Sequence, residues 1–331
     1  MRAPGLTGYP QCDAQVQKLA AALWGDGDGQ RVRERLLGKG RILWGKPLRE
    51  VLAALRVPPD FECPDATAGR GLNFIHRRAG DADLYFVANR SNVWTRCDCT
   101  FRVGGKQPEL WDPVSGETRP AAAFRQHNGR TTLPLEFAPH GSLFVVFREP
   151  VGSNAAGRAA RNFPVYAEGH ELTGEWRVRF DPRWGGPESV IFDRLSSWTQ
   201  RPEAGIRYYS GKATYLKTVD LREDLRQAGR RIVLELGAVK DVAEVRLNGT
   251  NLGVVWTEPF RVDITEAVRP FGNALEIDVV NLWPNRLIGD AALPPEKRFT
   301  RTNVQFSKDQ PLLESGLLGP VTVRMAEPQT P

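Results

Sequence analysis

The chain has 331 residues, 41% hydrophobic and 25% charged, an ordinary globular composition with length for two or three domains. It holds no apolar run near the ~18 residues that a membrane-spanning helix requires, so no membrane partner is expected. The net charge of +6 is scattered Arg interleaved with Asp and Glu. Without a basic run or a recognition motif, no nucleic acid is an expected partner either.

Residues 1–65 read as a partial α/β segment. Val16, Leu19, Ala20 and Leu23 recur at helical spacing, with Cys12-Asp13 available to cap the helix. The stretch GKGRILWG reads as a glycine-flanked buried strand, and Leu48 to Leu55 as a short helix stopped by Pro58-Pro59. Gly25-Asp26-Gly27-Asp28-Gly29 has acidic oxygens but lacks the distant Glu of a calcium loop, so it reads as a flexible connection. One strand with two or three helices cannot bury a sheet, so this stretch reads as the tail of a larger upstream domain.

Residues 70–150 turn to β. LNFIHRRAG and DADLYFVAN alternate as a hairpin, and TRCDCTFRV, PELWDPVSGE, TTLPLEF and SLFVVF come after it at the spacing of a small sandwich. His76 reads as a satisfied structural histidine, and Trp111-Asp112-Pro113 as a corner. Cys97 and Cys99, two apart on a strand, place both thiols on one face. With Cys12 and Cys63 they are expected to be reduced and mostly buried. No metal is expected from this set, because no Cys-x-x-Cys pair or His stands at ligand spacing.

Residues 151–168 are rich in small residues and read as a linker. The segment 169–327 then reads as a second, larger sandwich. Trp176, Val178 and Phe180 alternate, as do Ala243, Val245 and Leu247, and Leu275, Ile277 and Val279. Asn248-Gly249 between VRL and LGVVW is a two-residue hairpin signal, both residues tolerating positive φ. The fold class is therefore mainly β: two β-sandwich domains after a short α/β segment.

The run AEVRLNGTNLGVVWTEPFRVDIT, with GNALEIDVVNLWPNRLIGD after it, resembles the sugar-binding jelly-roll domain of family 2 glycoside hydrolases. With IRYYSGKATYLKTVDL it is more similar still to the C-terminal region of the family 106 α-L-rhamnosidase-like proteins. The resemblance spans most of residues 170–325 and implies a galactose-binding-like jelly roll. The segment GKGRILWGKPLREVLAALRVPPDF resembles the stretch just after the catalytic region in those proteins, and ELWDPVSGE resembles a corner of their C-terminal sandwiches. The resemblance implies a C-terminal fragment whose upstream catalytic barrel would be its partner, in a bacterial secreted, periplasmic or cytoplasmic protein. The N-terminal MRAPGLTGYPQCDAQV has no apolar signal-peptide core.

Glycoside hydrolysis needs two carboxyl groups across the scissile bond. Glu171, Glu175, Asp181, Asp193, Glu203, Glu258, Asp263, Asp290 and Glu296 are available in the second sandwich, but none falls in an acid/base signature. The catalytic carboxylates implied by the resemblance sit in the barrel and have no counterparts here, so no catalytic residue is assigned. Nucleophile elbows, Gly-x-Gly-x-x-Gly and phosphate loops are absent from the sequence. No organic cofactor is implied. The resemblance allows a structural Ca²⁺, with Asp181, Asp193, Asp263 and Asp290 as available oxygens and none assigned.

Carbohydrate binding requires aromatic faces beside hydrogen-bonding groups. Three clusters supply the mixture: Trp256 with Glu258; Trp283 with Asn285, Arg286 and Asp290; and Arg207 with Tyr208. In the competing reading Trp256, Phe260 and Trp283 pack the sandwich, while Arg286 pairs with Asp290 to fix a loop. The expected role is an accessory, carbohydrate-binding or scaffolding portion of a glycoside hydrolase acting on rhamnose-containing or related plant glycans. A free-standing lectin-like protein and an autonomous hydrolase are the alternatives.

Overall fold

A computed structural model describes residues 2–64, 71–221 and 230–327. The chain divides into two compact units, Met1–Asp60 and Phe61–Pro331.

In the first unit, helices Gln11–Trp24 and Leu48–Ala54 flank a hairpin of Glu34–Leu37 and Gly40–Leu43. The helices form where the apolar spacing places them. The strand in GKGRILWG is half of a two-stranded ribbon rather than a buried strand, and none of its residues is buried. A lone ribbon has no second layer to cover it. Asp28 does not serve a calcium loop: its Oδ1 accepts from the backbone N–H groups of Gln30, Arg31 and Val32, closing a local turn.

The second unit is built from antiparallel sheets around two apolar cores. In the first sandwich, a sheet ordered Leu72–Ala79, Ala82–Asn89, Ser142–Pro150, Lys106–Trp111, Thr118–Pro120 faces one ordered Phe61–Glu62, Thr95–Phe101, Arg130–Phe137, Arg125–His127. Tyr85, Val87, Val145 and Phe147 from one sheet meet Phe101, Leu133, Leu135 and Phe137 from the other. His76 stacks on Tyr85 at 4.0 Å and bonds Asp83 at 3.1 Å, a structural role. Asp112 Oδ1 accepts from the N–H groups of Val114 and Ser115, making the corner after Trp111. The stretch 151–168 is tied down: buried Asn162 donates to the carbonyls of Ala123 and Pro134.

In the second sandwich, a six-stranded sheet is ordered Val190–Phe192, Trp176–Phe180, Lys212–Val219, Asn273–Val280, Val242–Leu247, Thr250–Val255. It faces a four-stranded sheet ordered His170–Glu171, Thr322–Met325, Ile232–Glu235, Arg261–Asp263. Alternation decides the faces: Val178, Phe180, Tyr215, Val245 and Ile277 go inward against Leu234, Val262 and Val323. Asn248 (φ 54°) and Gly249 (φ 83°) make the predicted hairpin turn, joining Leu247 to Thr250. Asn248 Nδ2 also donates to Ala267 O and Asn273 Oδ1, and its Oδ1 accepts from Ala274 N–H.

Candidate functional site

Strand register places the candidate aromatics at one end of the six-stranded sheet. Phe180, Ala213, Val279, Ala243 and Val255 lie in one row across five strands. One residue further along are Asp181, Lys212, Val280, Val242 and Trp256, so the loops carrying Trp184, Trp256 and Trp283 leave from the same end. Trp256 is 57% exposed and Trp283 48%. Neither packs the core, whereas Phe260 does. Glu258 is exposed beside Trp256.

Trp283 precedes the helix Pro284–Ala291, whose first turn starts on Pro284. Its indole stands edge-on to Trp184 at 5.3 Å and 74°. The backbone around it is stitched to a neighbouring turn. Ser210 Oγ donates to Leu282 O and accepts from Arg286 N–H, while Asn281 bridges Gly211 N–H and Tyr209 O. Gly289 is required here, since a Cβ would lie 2.7 Å from Tyr208 Cβ.

The polar candidates of this helix turn inward. Asn285 is buried, donates to Leu313 O and Ser315 Oγ, and accepts from Leu313 N–H. Arg286 is buried, donates to Trp184 O at 2.6 Å, and lays its guanidinium 4.4 Å from the Phe299 ring centre. Burial pulls its pKa down, against the attraction of Asp290. Asp290 Oδ2 accepts from Thr300 N–H and Oγ1, so Asp290 binds Thr300 and forms no ion pair with Arg286. Arg286 Nε and Asp290 Oδ1 are buried without a hydrogen-bond partner. Those two atoms apart, the three side chains fasten the loop from inside through partners within the protein. Asn285 and Arg286 offer a sugar no open contact.

Arg207 is exposed and lies over the half-buried Tyr208 ring at 5.6 Å. Both border a groove of about 360 Å³ with Thr199, Lys308, Asp309 and Gln310. A second polar groove of about 830 Å³ is lined by Asp290 with, among others, Glu296, Arg298, Thr300, Asn303 and Gln305. Trp184, Ser210 and Ser315 were not among the candidates read from the sequence. The one signal available for an aromatic pair was the tryptophan of DPRWGGP itself.

Several of the acids are engaged. Asp181 caps and pairs with Arg183, Glu203 pairs with Arg201, and Asp263 with Arg231 and Thr265. Asp278, on the outer sheet face, receives Thr214, Lys212 and Arg246. Burial alone would raise its pKa; the three donors outweigh burial and hold it below the ordinary value. Every described carboxylate with a displaced pKa is displaced downward. Asp181, Asp193, Asp263 and Asp290 do not assemble into a calcium cage. The cluster that does assemble among the described residues is Cys63, Cys97 and Cys99, their Sγ atoms all within 4.8 Å of one another. Hydrogen bonding to Cys63 and Cys97, then burial, pushes the Cys99 thiol pKa far up.

This is a β-sandwich protein related to glycoside hydrolases. Residues 1–126 match the family model described as alpha-L-rhamnosidase. The structure is similar to the rhamnosidase from Novosphingobium sp. PP1Y, with 34% identity and a TM-score of 0.81 over 98% of this chain and 30% of that one. The sequence is 38% identical to a putative beta-glucuronidase of Formosa agariphila over 46% of this chain and 15% of that protein. The resemblance to the rhamnosidase family, read first from residues 170–325, thus extends over nearly the whole fold, and the chain spans less than a third of either relative.

Proposed function

We propose that this chain is the accessory, non-catalytic portion of a glycoside hydrolase acting on rhamnose-containing or related plant glycans. The observation that carries the reading is the condition of its carboxylates. A glycosidase acid has its pKa raised by burial. Here the displaced acids are lowered, held by Arg, Lys, Thr or backbone donors. In this reading a catalytic barrel, as in the resembled family, supplies the acid and base, and the second sandwich, a galactose-binding-like jelly roll, contributes surface. The similarity to a rhamnosidase and to a putative beta-glucuronidase agrees with a glycan substrate for the whole protein. The test is turnover of aryl α-L-rhamnosides and β-glucuronides by the chain alone. None is expected; turnover abolished by one Asp or Glu to Ala substitution would overturn the proposal.

A lectin-like capacity is favoured by one further observation, the exposure of Trp256 and Trp283 at the same sheet end. Exposed indoles cover the apolar face of a pyranose while neighbouring polar groups take its hydroxyls. Here Glu258, Arg207 and Tyr208 are the reachable polar groups, and Asn285, Arg286 and Asp290 hold Trp283 in place. A panel of rhamnosides and pectic fragments, with Trp256→Ala and Trp283→Ala alongside, tests it. Binding lost in a folded variant places the site; equal binding by both variants removes these tryptophans from it.

A further inference from the structure

We propose that Cys63, Cys97 and Cys99 form a three-thiolate site for a thiophilic d¹⁰ cation, zinc being the expected occupant. The site is assembled by strand register. Phe61 and Glu62 pair with Phe101 and Thr100, so the next residue, Cys63, comes opposite Cys99. Cys97 lies two residues along the same strand and on the same face. The three sulfurs lie within 4.8 Å of one another, and Cys97 Sγ is 3.5 Å from Cys99 Sγ. A zinc ion with Zn–S bonds of about 2.3 Å separates its sulfurs by about 3.8 Å, so small side-chain rotations bring all three into range.

The donor set is soft throughout. Asp98, between the two strand cysteines, faces away and pairs with Arg125. An all-sulfur set selects zinc or monovalent copper over calcium or magnesium. Binding converts three thiols and Zn²⁺ into a zinc tris-thiolate of charge −1 with release of three protons, with no change of oxidation state. Monovalent copper would leave −2, a costlier charge in a half-buried setting. Cys99 is fully buried, while Cys63 and Cys97 are partly exposed and give an ion access to the cluster. Tetrahedral zinc bound by three protein sulfurs takes a water as its fourth ligand.

The test is titration of the reduced, chelator-treated chain with Zn²⁺ against a chromophoric competitor, and with Cd²⁺ for its thiolate charge-transfer band. One equivalent of each is expected, unaffected by Cys12→Ser. Cys63→Ser and Cys97→Ser, at partly exposed positions, are each expected to weaken binding by more than about tenfold, and Cys99→Ser to do the same if it folds. Three findings would each overturn the proposal: no binding by the reduced chain, equal binding by the Cys63 and Cys97 variants, or loss of binding in Cys12→Ser. Tight copper(I) binding without zinc binding would likewise overturn the assignment of zinc.

Discussion

Removing the hydroxyl of Tyr215 is expected to be among the most damaging conservative changes in the second sandwich. The ring is fully buried, and its hydroxyl accepts from Trp198 Nε1 at 2.6 Å and Leu317 N–H at 3.1 Å. Burial pushes the phenol pKa up to about 12, so it is a neutral acceptor at any working pH. Tyr215→Phe keeps the ring and opens almost no cavity, yet strands two donors on residues that are themselves 0% exposed. Each orphaned donor costs about 1–3 kcal/mol, giving about 2–6 kcal/mol in all. At about 2–4 °C per kcal/mol for a unit of this size, the melting transition should fall by about 4–24 °C. Thermal unfolding followed by tryptophan fluorescence reads it. Trp198→Phe removes one stranded donor, so the double variant should lose less than the sum of the singles. A Tyr215→Phe variant within about 0.5 kcal/mol of the parent, or strict additivity with Trp198→Phe, would refute the reasoning.

Asp278→Asn should cost about 2 kcal/mol at neutral pH, because hydrogen bonds from charged partners are lost while Lys212 keeps access to water. The folded carboxyl titrates below its ordinary value of 3.8. Its contribution is therefore complete above that value and is lost as pH falls towards the folded pKa; denaturant melts at pH 7 and pH 3 should show the parent–variant gap shrinking. Asn248→Ala should cost about 3 kcal/mol, combining the left-handed backbone penalty with three lost hydrogen bonds. Asn248→Gly should recover about 1 kcal/mol of that, and equal melting of the two variants would argue against the backbone part.

What was legible in the sequence is what depends on local rules. The period-two runs through Val178, Val245 and Ile277 place their own faces, because inward and outward positions must alternate on a pleated strand. Asn248-Gly249 specified its turn because few residues tolerate positive φ at both positions. The failures are non-local. GKGRILWG has the pattern of a buried strand, and nothing in eight residues says whether a second layer exists to bury it. Cys63 lies 34 positions before Cys97, and only the pairing of Phe61 with Phe101 brings their thiols together. The pairing of Trp184 with Trp283 depends likewise on where two loops end, a fact of the sheet rather than of either loop.

The loop Asn281–Asp290 shows why a sugar-site composition misleads when read residue by residue. Asn, Arg and Asp beside an exposed Trp are what a pyranose would recruit, but they are also what a buried loop backbone needs. The two uses compete for the same donors. Asn285 has committed both its amide nitrogen and its oxygen to Leu313 and Ser315, and Arg286 has placed a guanidinium nitrogen on Trp184 O. Turning either outward would orphan the groups it now satisfies, at about 1–3 kcal/mol each, more than a solvent-exposed sugar hydroxyl returns. The indole of Trp283 has no such commitment. Its edge contact with Trp184 leaves about half its surface open. In the proposed lectin-like site, recognition at this end of the sheet falls to the aromatic surface, and the polar side chains fix the angle at which that surface is presented.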